Sequence, residues 1–188
     1  MLNLKTTGLA SLLCAAAFTS GAFAQDAALD LKFAGALEFS ETGTLFVGDN
    51  YKGAIYAFDM SDGAAPTQVA LVNIGDIDVK IADTLGVPKS ALAINDMAVH
   101  PITAEIYISV SRIGNFKSAP AIMKVAQDAS ISMLDLASVP FEVQALDHYP
   151  DQETTFRPRG LGQGEPLIRD IAKGEITLSS LAIMDMEY

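Results

Sequence analysis

The side chains best suited to chemistry in this sequence are amide and carboxylate groups at a repeated position. Five of the eight residues at 92–99 recur at 181–188, where Asp185 takes the place of Asp96. Carboxylate and amide oxygens bind hard cations such as Ca²⁺, and they also accept hydrogen bonds from backbone N–H groups. Asn95 precedes Asp96, but its counterpart in the second copy is a methionine. The repeat therefore favours a framework role for the aspartate and leaves Asn95 with the more specific functional claim.

Two arginines, Arg157 and Arg159, form a second candidate site. They lie at 147–165, a stretch interrupted by prolines and glycines that predicts an exposed loop. Arginine pairs clamp carboxylates through bidentate hydrogen bonds, so this loop is predicted to hold a ligand or the acidic surface of a partner. The alternative is that the arginines only balance the neighbouring acids Asp151 and Glu153.

Other patterns of catalytic residues are missing from the sequence. The two histidines, His100 and His148, have no paired spacing typical of a zinc site, and no serine lies in a Gly-x-Ser-x-Gly elbow. The glycines at 160–164 lack the spacing of a nucleotide-binding loop. His100 is followed by a proline, which predicts an exposed turn residue.

Composition limits the class of protein and its partners. The net charge is −11, from 12 basic and 23 acidic residues, and a field of this sign repels phosphate backbones. Nucleic acid is therefore not an expected partner. A hydrophobic fraction of 50% predicts a folded chain with its own core.

The first 24 residues predict a secretory signal. Lys5 supplies a positive start, an apolar stretch follows at 9–18, and small residues at 22 and 24 predict cleavage after Ala24. The apolar stretch is too short for a membrane span. Cleavage removes Cys14, the only cysteine, so we expect a periplasmic or secreted protein without disulfides.

The rest of the chain is a succession of short strand signals separated by turns. The first unit is predicted to contain strands at 31–39, 44–49, 54–59 and 67–73, with Gly43 and Gly53 in its tight turns. A short helix is predicted at 78–85, before a glycine and a proline.

The second unit repeats this pattern. Its strands are predicted at 94–99, 105–110 and 121–125, with a fourth at 141–146 or, as the competing choice, at 131–136. Its methionines, Met97, Met123 and Met133, are predicted core fillers, as are Met184 and Met186 near the end of the sequence.

Two phrases resemble the inner half of a β-propeller blade of the NHL or six-bladed, paraoxonase-like lactonase type. They are Phe-Ser-Glu-Thr-Gly-Thr-Leu-Phe-Val-Gly-Asp at 39–49 and the segment at 96–110. The resemblance implies an all-β fold of antiparallel four-stranded meanders in an incomplete ring. Residues 25–188 are then a partial propeller, with units at about 31–73 and 92–146 and a stub at 181–188. A fragment, an assembly of copies and a self-contained two-sheet protein all fit this pattern.

The resemblance also implies a function. A propeller fragment is expected to be a binding or interaction module without catalytic activity of its own, capturing a protein or small molecule through the loops at 73–91 and 147–166. Self-association through open sheet edges is expected as well. The alternative is a calcium-dependent hydrolase of the lactonase or arylesterase type, because the Asn-Asp step is similar to the one at the channel of those enzymes. Asn95 would then be a metal ligand, Asp96 a neighbouring ligand, and Asp185 the matching residue of the next unit.

Overall fold

The computed structural model describes residues 28–113 and 120–147, together with 149, 155–156, 176–177, 183 and 186. This part of the chain is mostly β-structure with one short α-helix, as the sequence predicts. The predicted signal at 1–24 lies outside the described residues. The elements in chain order are β1 (Leu37–Phe39), β2 (Thr44–Asp49), β3 (Ala54–Asp59), α1 (Ile77–Leu85), β4 (Leu92–Val99), β5 (Ile106–Arg112), β6 (Ala121–Val125), β7 (Ile131–Met133), β8 (Phe141–Ala145), β9 (Thr155–Phe156) and β10 (Ile176–Thr177).

The first sheet has the antiparallel order β1-β2-β3-β8. Gly43 and Gly53 have φ angles of 91° and 65° in the two turns that join its first three strands. These angles lie in the left-handed region that glycine adopts without steric cost, so the predicted tight turns are confirmed. Strand side chains alternate between two faces of a sheet. The face that is turned toward the second sheet, here called the inner face, carries large apolar residues from every strand.

The second sheet has the antiparallel order β4-β5-β6-β7. Its ladder between β4 and β5 shifts register between Ile94 and Asp96, so Asn95 is the extra residue of a β-bulge. The bulge sends Ile94 and Met97 to one face of the sheet, and Asp96 and Ala98 to the other. β9 and β10 pair with each other as a two-stranded antiparallel sheet that is separate from both larger sheets.

The core lies where the inner faces of the two sheets meet. Leu45, Val47 and Phe58 of the first sheet are fully buried there, together with Tyr107 and Ile122 of the second. Full burial of each such side chain contributes about 1.5–3 kcal/mol to folding. The second sheet is thereby fixed over β1, and this contact positions the candidate site residues Asn95 and Asp96 in the middle of β4.

Helix α1 covers part of the outer face of the second sheet. It buries Ile81 against β5 and β6. The helix ends at Gly86, whose φ of 66° allows its N–H group to reach the carbonyl of Asp83. The helix predicted at 78–85 is therefore confirmed.

The fourth strands of the two sheets differ from the prediction. Residues 67–73 contain no strand, and β8 pairs with β3 to complete the first sheet. The second sheet takes its fourth strand from β7, which is the competing choice of the sequence analysis. Alternating apolar residues predict that both segments are strands. They do not predict which strand each segment pairs with, because that partner can be distant in sequence, as β3 is from β8.

Within the described ranges the sheets do not close into a barrel or ring, in agreement with the predicted incomplete ring. No helix in this part of the chain has the length and apolar character needed to cross a membrane.

Candidate functional site

Asp96 is a structural link between the two sheets. Its Oδ2 accepts a hydrogen bond of 2.8 Å from the backbone N–H of Leu37, and its Oδ1 accepts one of 2.8 Å from the N–H of Met97. Leu37 belongs to β1 of the first sheet, so one carboxylate joins the first strands of both sheets. The framework role predicted for this aspartate is confirmed.

Asn95 holds a second connection at the same place. It projects from the bulge, where its Nδ2 donates hydrogen bonds to the carbonyl of Ala34 at 2.7 Å and to Ser111 Oγ at 2.8 Å. The amide thus ties the segment before β1 to the end of β5. Asn95 is nevertheless an exposed residue.

The metal prediction rests on residues that the structure describes only in part. Asp185 lies outside the described residues, as do Arg157, Arg159 and His148. Among the described residues, no three His, Cys, Asp or Glu side chains lie close enough to hold one metal ion. Asn95 and Asp96 are the residues that would offer oxygen ligands here, and their part in calcium binding stays a prediction.

Asp49 organises the loop after β2. It is fully buried, and its carboxylate accepts backbone N–H groups from Lys32 at 2.6 Å and from Tyr51 and Lys52 at 3.0 Å. A buried carboxylate needs such donors, because an unpaired charge in the interior is costly. The loop geometry therefore depends on an aspartate here.

The residue after Asp49 links this loop to distant parts of the chain. Asn50 donates from Nδ2 to the carbonyl of Ile183 at 3.0 Å, and its own carbonyl accepts the hydroxyl of Tyr149 at 2.8 Å. Burial, together with the nearby charge of Asp49, raises the pKa of Tyr149 to about 12. The Tyr149 ring lies directly over Gly53, where a Cβ atom would come within 2.5 Å of it.

The prediction for His100 was wrong. Its side chain is only 1% exposed and lies beside the ring of Phe39, with 4.8 Å between the ring centroids. Its Nδ1 accepts the N–H groups of Ile102 and Thr103 at 3.1 and 3.2 Å, so Nε2 carries the proton and donates to the carbonyl of Met60 at 2.9 Å. The imidazole is therefore a core histidine that closes the turn between β4 and β5.

The outer face of the second sheet exposes a row of apolar side chains along β4. Ile94, Met97 and Val99 are 44%, 57% and 53% exposed, and we call these three residues the β4 stripe. Met133 is 55% exposed on the far edge of the same face. The predicted core role is thus confirmed for Met123, which is fully buried, and wrong for Met97 and Met133.

A groove of about 240 Å³ runs beside the β4 stripe. Residues 72–77, which precede and begin α1, form one wall, and β4 to β6 form the other. The predicted binding loop at 73–91 therefore contributes to this groove. The side chains that face it are almost all aliphatic, among them Val72, Ile74, Ile77, Met97, Ile106 and Ile108.

Comparison with protein-family models, with curated proteins and with solved structures yields no match for this chain.

The stripe is the part of the candidate site that the sequence analysis missed. A strict period of two places Ile94 and Met97 on opposite faces of a strand. The bulge at Asn95 places both residues on the same face of the sheet. In the sequence, the only sign of this bulge was an asparagine within a mostly apolar strand.

Proposed function

We propose that this protein is a binding module built from propeller-type β-sheets, and that the β4 stripe with its neighbouring groove is the binding surface. The observation that carries the proposal is the continuity of exposed Ile94, Met97 and Val99 with the groove. Large contiguous apolar patches are uncommon on the surfaces of monomeric proteins, and they commonly mark interaction sites.

The chemistry of the surface favours an apolar partner. The groove and the stripe present aliphatic and thioether side chains, which bind by burial of area and not by directed hydrogen bonds. Met97 adds an unbranched, polarisable side chain that adapts to different partner shapes. A protein surface with apolar side chains fits this description, and so does a small apolar molecule.

The predicted secretory signal belongs to the same proposal. A protein exported to the periplasm or the cell exterior would meet its partner there. The proposal assigns no catalytic residue. The hydrogen bond of Asp96 links the two sheets, and that of Asn95 ties the second sheet to the segment before β1, so both support a structural role.

The test is titration of the full chain, at low protein concentration, with the apolar dye anilinonaphthalene sulfonate. We expect Met97→Glu to weaken dye binding at least about fivefold, because a carboxylate enters the centre of the stripe. Val143→Glu is the matched control, since Val143 is 45% exposed on the edge strand β8 of the other sheet. Equal dye binding by wild type and Met97→Glu would show that the stripe is not the binding surface.

A further inference from the structure

The two sheets are built on one plan, so each face of one has a counterpart in the other. β1 ends at Phe39 and β4 at Val99, and both strands then turn into the second strand of their sheet. When the two sheets are aligned by setting Phe39 on Val99, residues on the inner face of the first sheet fall on residues on the outer face of the second. The matched residues are Leu37 with Met97, Val47 with Ile108, and Tyr56 with Met123.

The matched faces are covered to different extents. Leu37 and Phe39 are 3% and 7% exposed, because the second sheet lies over them. Their counterparts Met97 and Val99 are more than half exposed. Helix α1 packs on the second sheet and on the beginning of its first strand, at Leu92, but leaves Met97 and Val99 of that strand exposed.

The repeated sequence shows which surface fits this stripe. Ile183 is the counterpart of Ile94 in the second copy of the repeat, and it is buried against Gly48 on the outer face of the first sheet. A Cβ atom on Gly48 would come within 2.6 Å of Ile183 Cγ2, so the glycine forms the recess that receives this isoleucine. The Asn50 side chain also donates to the carbonyl of Ile183 at 3.0 Å.

We infer that the β4 stripe of one copy of this chain binds the outer face of the first sheet of a second copy, with Ile94 in the Gly48 recess that Ile183 fills within its own chain. The inference rests on the proposed function and names the partner of that surface. The contact joins two different faces, so it is heterologous and runs head to tail.

Ile183 and the stripe of a second copy compete for the same recess. Ile183 belongs to the same chain as Gly48, so its effective local concentration exceeds that of a second copy in dilute solution. Self-association of the wild-type chain is therefore weak and depends on concentration. Removal of the Ile183 side chain from the recess strengthens it.

Sedimentation velocity of the full chain over a range of concentrations tests this competition. We expect Ile183→Asp to lower the concentration at which half of the chains associate by at least about tenfold, and Ile183→Asp with Ile94→Asp to return the protein to a monomer. Ile183→Asp with Val143→Asp is the control and should associate like the single variant. If Ile183→Asp unfolds, as judged by circular dichroism, Ile183→Ala should move association in the same direction by a smaller factor.

Mixing two variants tests the head-to-tail geometry. In the Ile183→Asp background, a chain with Gly48→Leu loses its recess and a chain with Met97→Asp loses its stripe, so each is expected to be monomeric alone. An equimolar mixture should form dimers, because each chain keeps the surface that the other lacks. A monomeric mixture, or association of either variant alone, overturns the inference.

The two proposals fail separately. If Ile183→Asp stays monomeric while Met97→Glu still loses dye binding, the second copy is not the partner but the binding surface stands. If Met97→Glu binds the dye as wild type does, the proposed function itself is wrong.

Discussion

Two polar side chains in the middle of β4, Asn95 and Asp96, hold the two sheets in position, and their hydrogen bonds determine what their replacement is expected to do. Asp96 uses both carboxylate oxygens on backbone N–H groups, one of them in the other sheet. The sequence indicated this framework role for Asp96, because the second copy of the repeat keeps the aspartate but not the asparagine before it. The role of Asn95 could not be read in the same way, since its partners Ala34 and Ser111 are distant in sequence.

Replacement of Asp96 by alanine is expected to destabilise the fold by about 1–3 kcal/mol, because the N–H group of Leu37 loses its acceptor in a partly buried place. Asp96→Asn keeps one acceptor oxygen and should lose less. Urea denaturation measures both changes, with the exposed Asp62→Ala as the control. Equal stability of wild type and Asp96→Ala would contradict the framework role.

A variant of the neighbouring residue, Asn95→Ala, tests the calcium hypothesis. Calcium that binds through Asn95 and Asp96 would raise the melting temperature of the wild type, and Asn95→Ala would abolish that rise. Calorimetry with and without calcium measures this. An unchanged melting temperature would leave the framework role as the only one supported for these residues.

The raised pKa of Tyr149 predicts that the free energy of unfolding decreases at high pH. Its pKa is raised to about 12, above the ordinary value of 10.0, because burial and the charge of Asp49 disfavour the phenolate. The unfolded chain therefore loses this proton first, so the contribution is complete below about pH 10 and is lost as pH rises toward 12. Tyr149→Phe keeps the ring over Gly53 but cannot ionise, so its free energy of unfolding should fall less over this interval. Parallel slopes for the two proteins would contradict this.

At the scale of elements, strands and the helix were largely predictable, but strand partners were not. Turn glycines and alternating apolar residues located β2, β3, β5 and β6, and the glycine and proline after α1 located its end. The pairing of β8 with the first sheet was missed, and β7 was only the competing choice for the second, because both segments alternate in the same way and only the tertiary fold selects their partners. His100 was missed for a related reason, since its burial depends on Phe39 in the other sheet.

The placement of β8 predicts that Phe141 stabilises the first sheet. Its ring lies 5.7 Å from that of Phe58 and 5.9 Å from that of Tyr56, both in the core. Phe141→Ala is expected to cost about 3–5 kcal/mol. Val143→Ala, in the same strand but half exposed, should cost only about 0.5 kcal/mol. Chemical denaturation measures the loss of stability of each variant. Equal losses would contradict the pairing of β8 with the first sheet.

At the scale of the whole molecule, two sheets present faces of the same kind in the same order. The inner face of the first sheet is covered by the second, its outer face receives Ile183, and the outer face of the second exposes the β4 stripe. A stack with this polarity can be extended by another sheet of the same type. The repeat alone suggested such an extension. The position of Ile183 against Gly48 adds that the β4 stripe corresponds to the segment that covers the outer face of the first sheet.

Net charge sets the conditions under which such an extension occurs. Each copy carries a net charge of −11, so two copies repel one another at long range while the stripe and the recess attract by apolar contact. Salt shortens the screening length from about 10 Å at 0.1 M to about 3 Å at 1 M and so weakens the repulsion. Association of the Ile183→Asp chain should therefore strengthen severalfold over this range of sodium chloride, as measured by sedimentation velocity. Weaker association at high salt would instead indicate a contact held by ion pairs, which the stripe and the Gly48 recess do not provide.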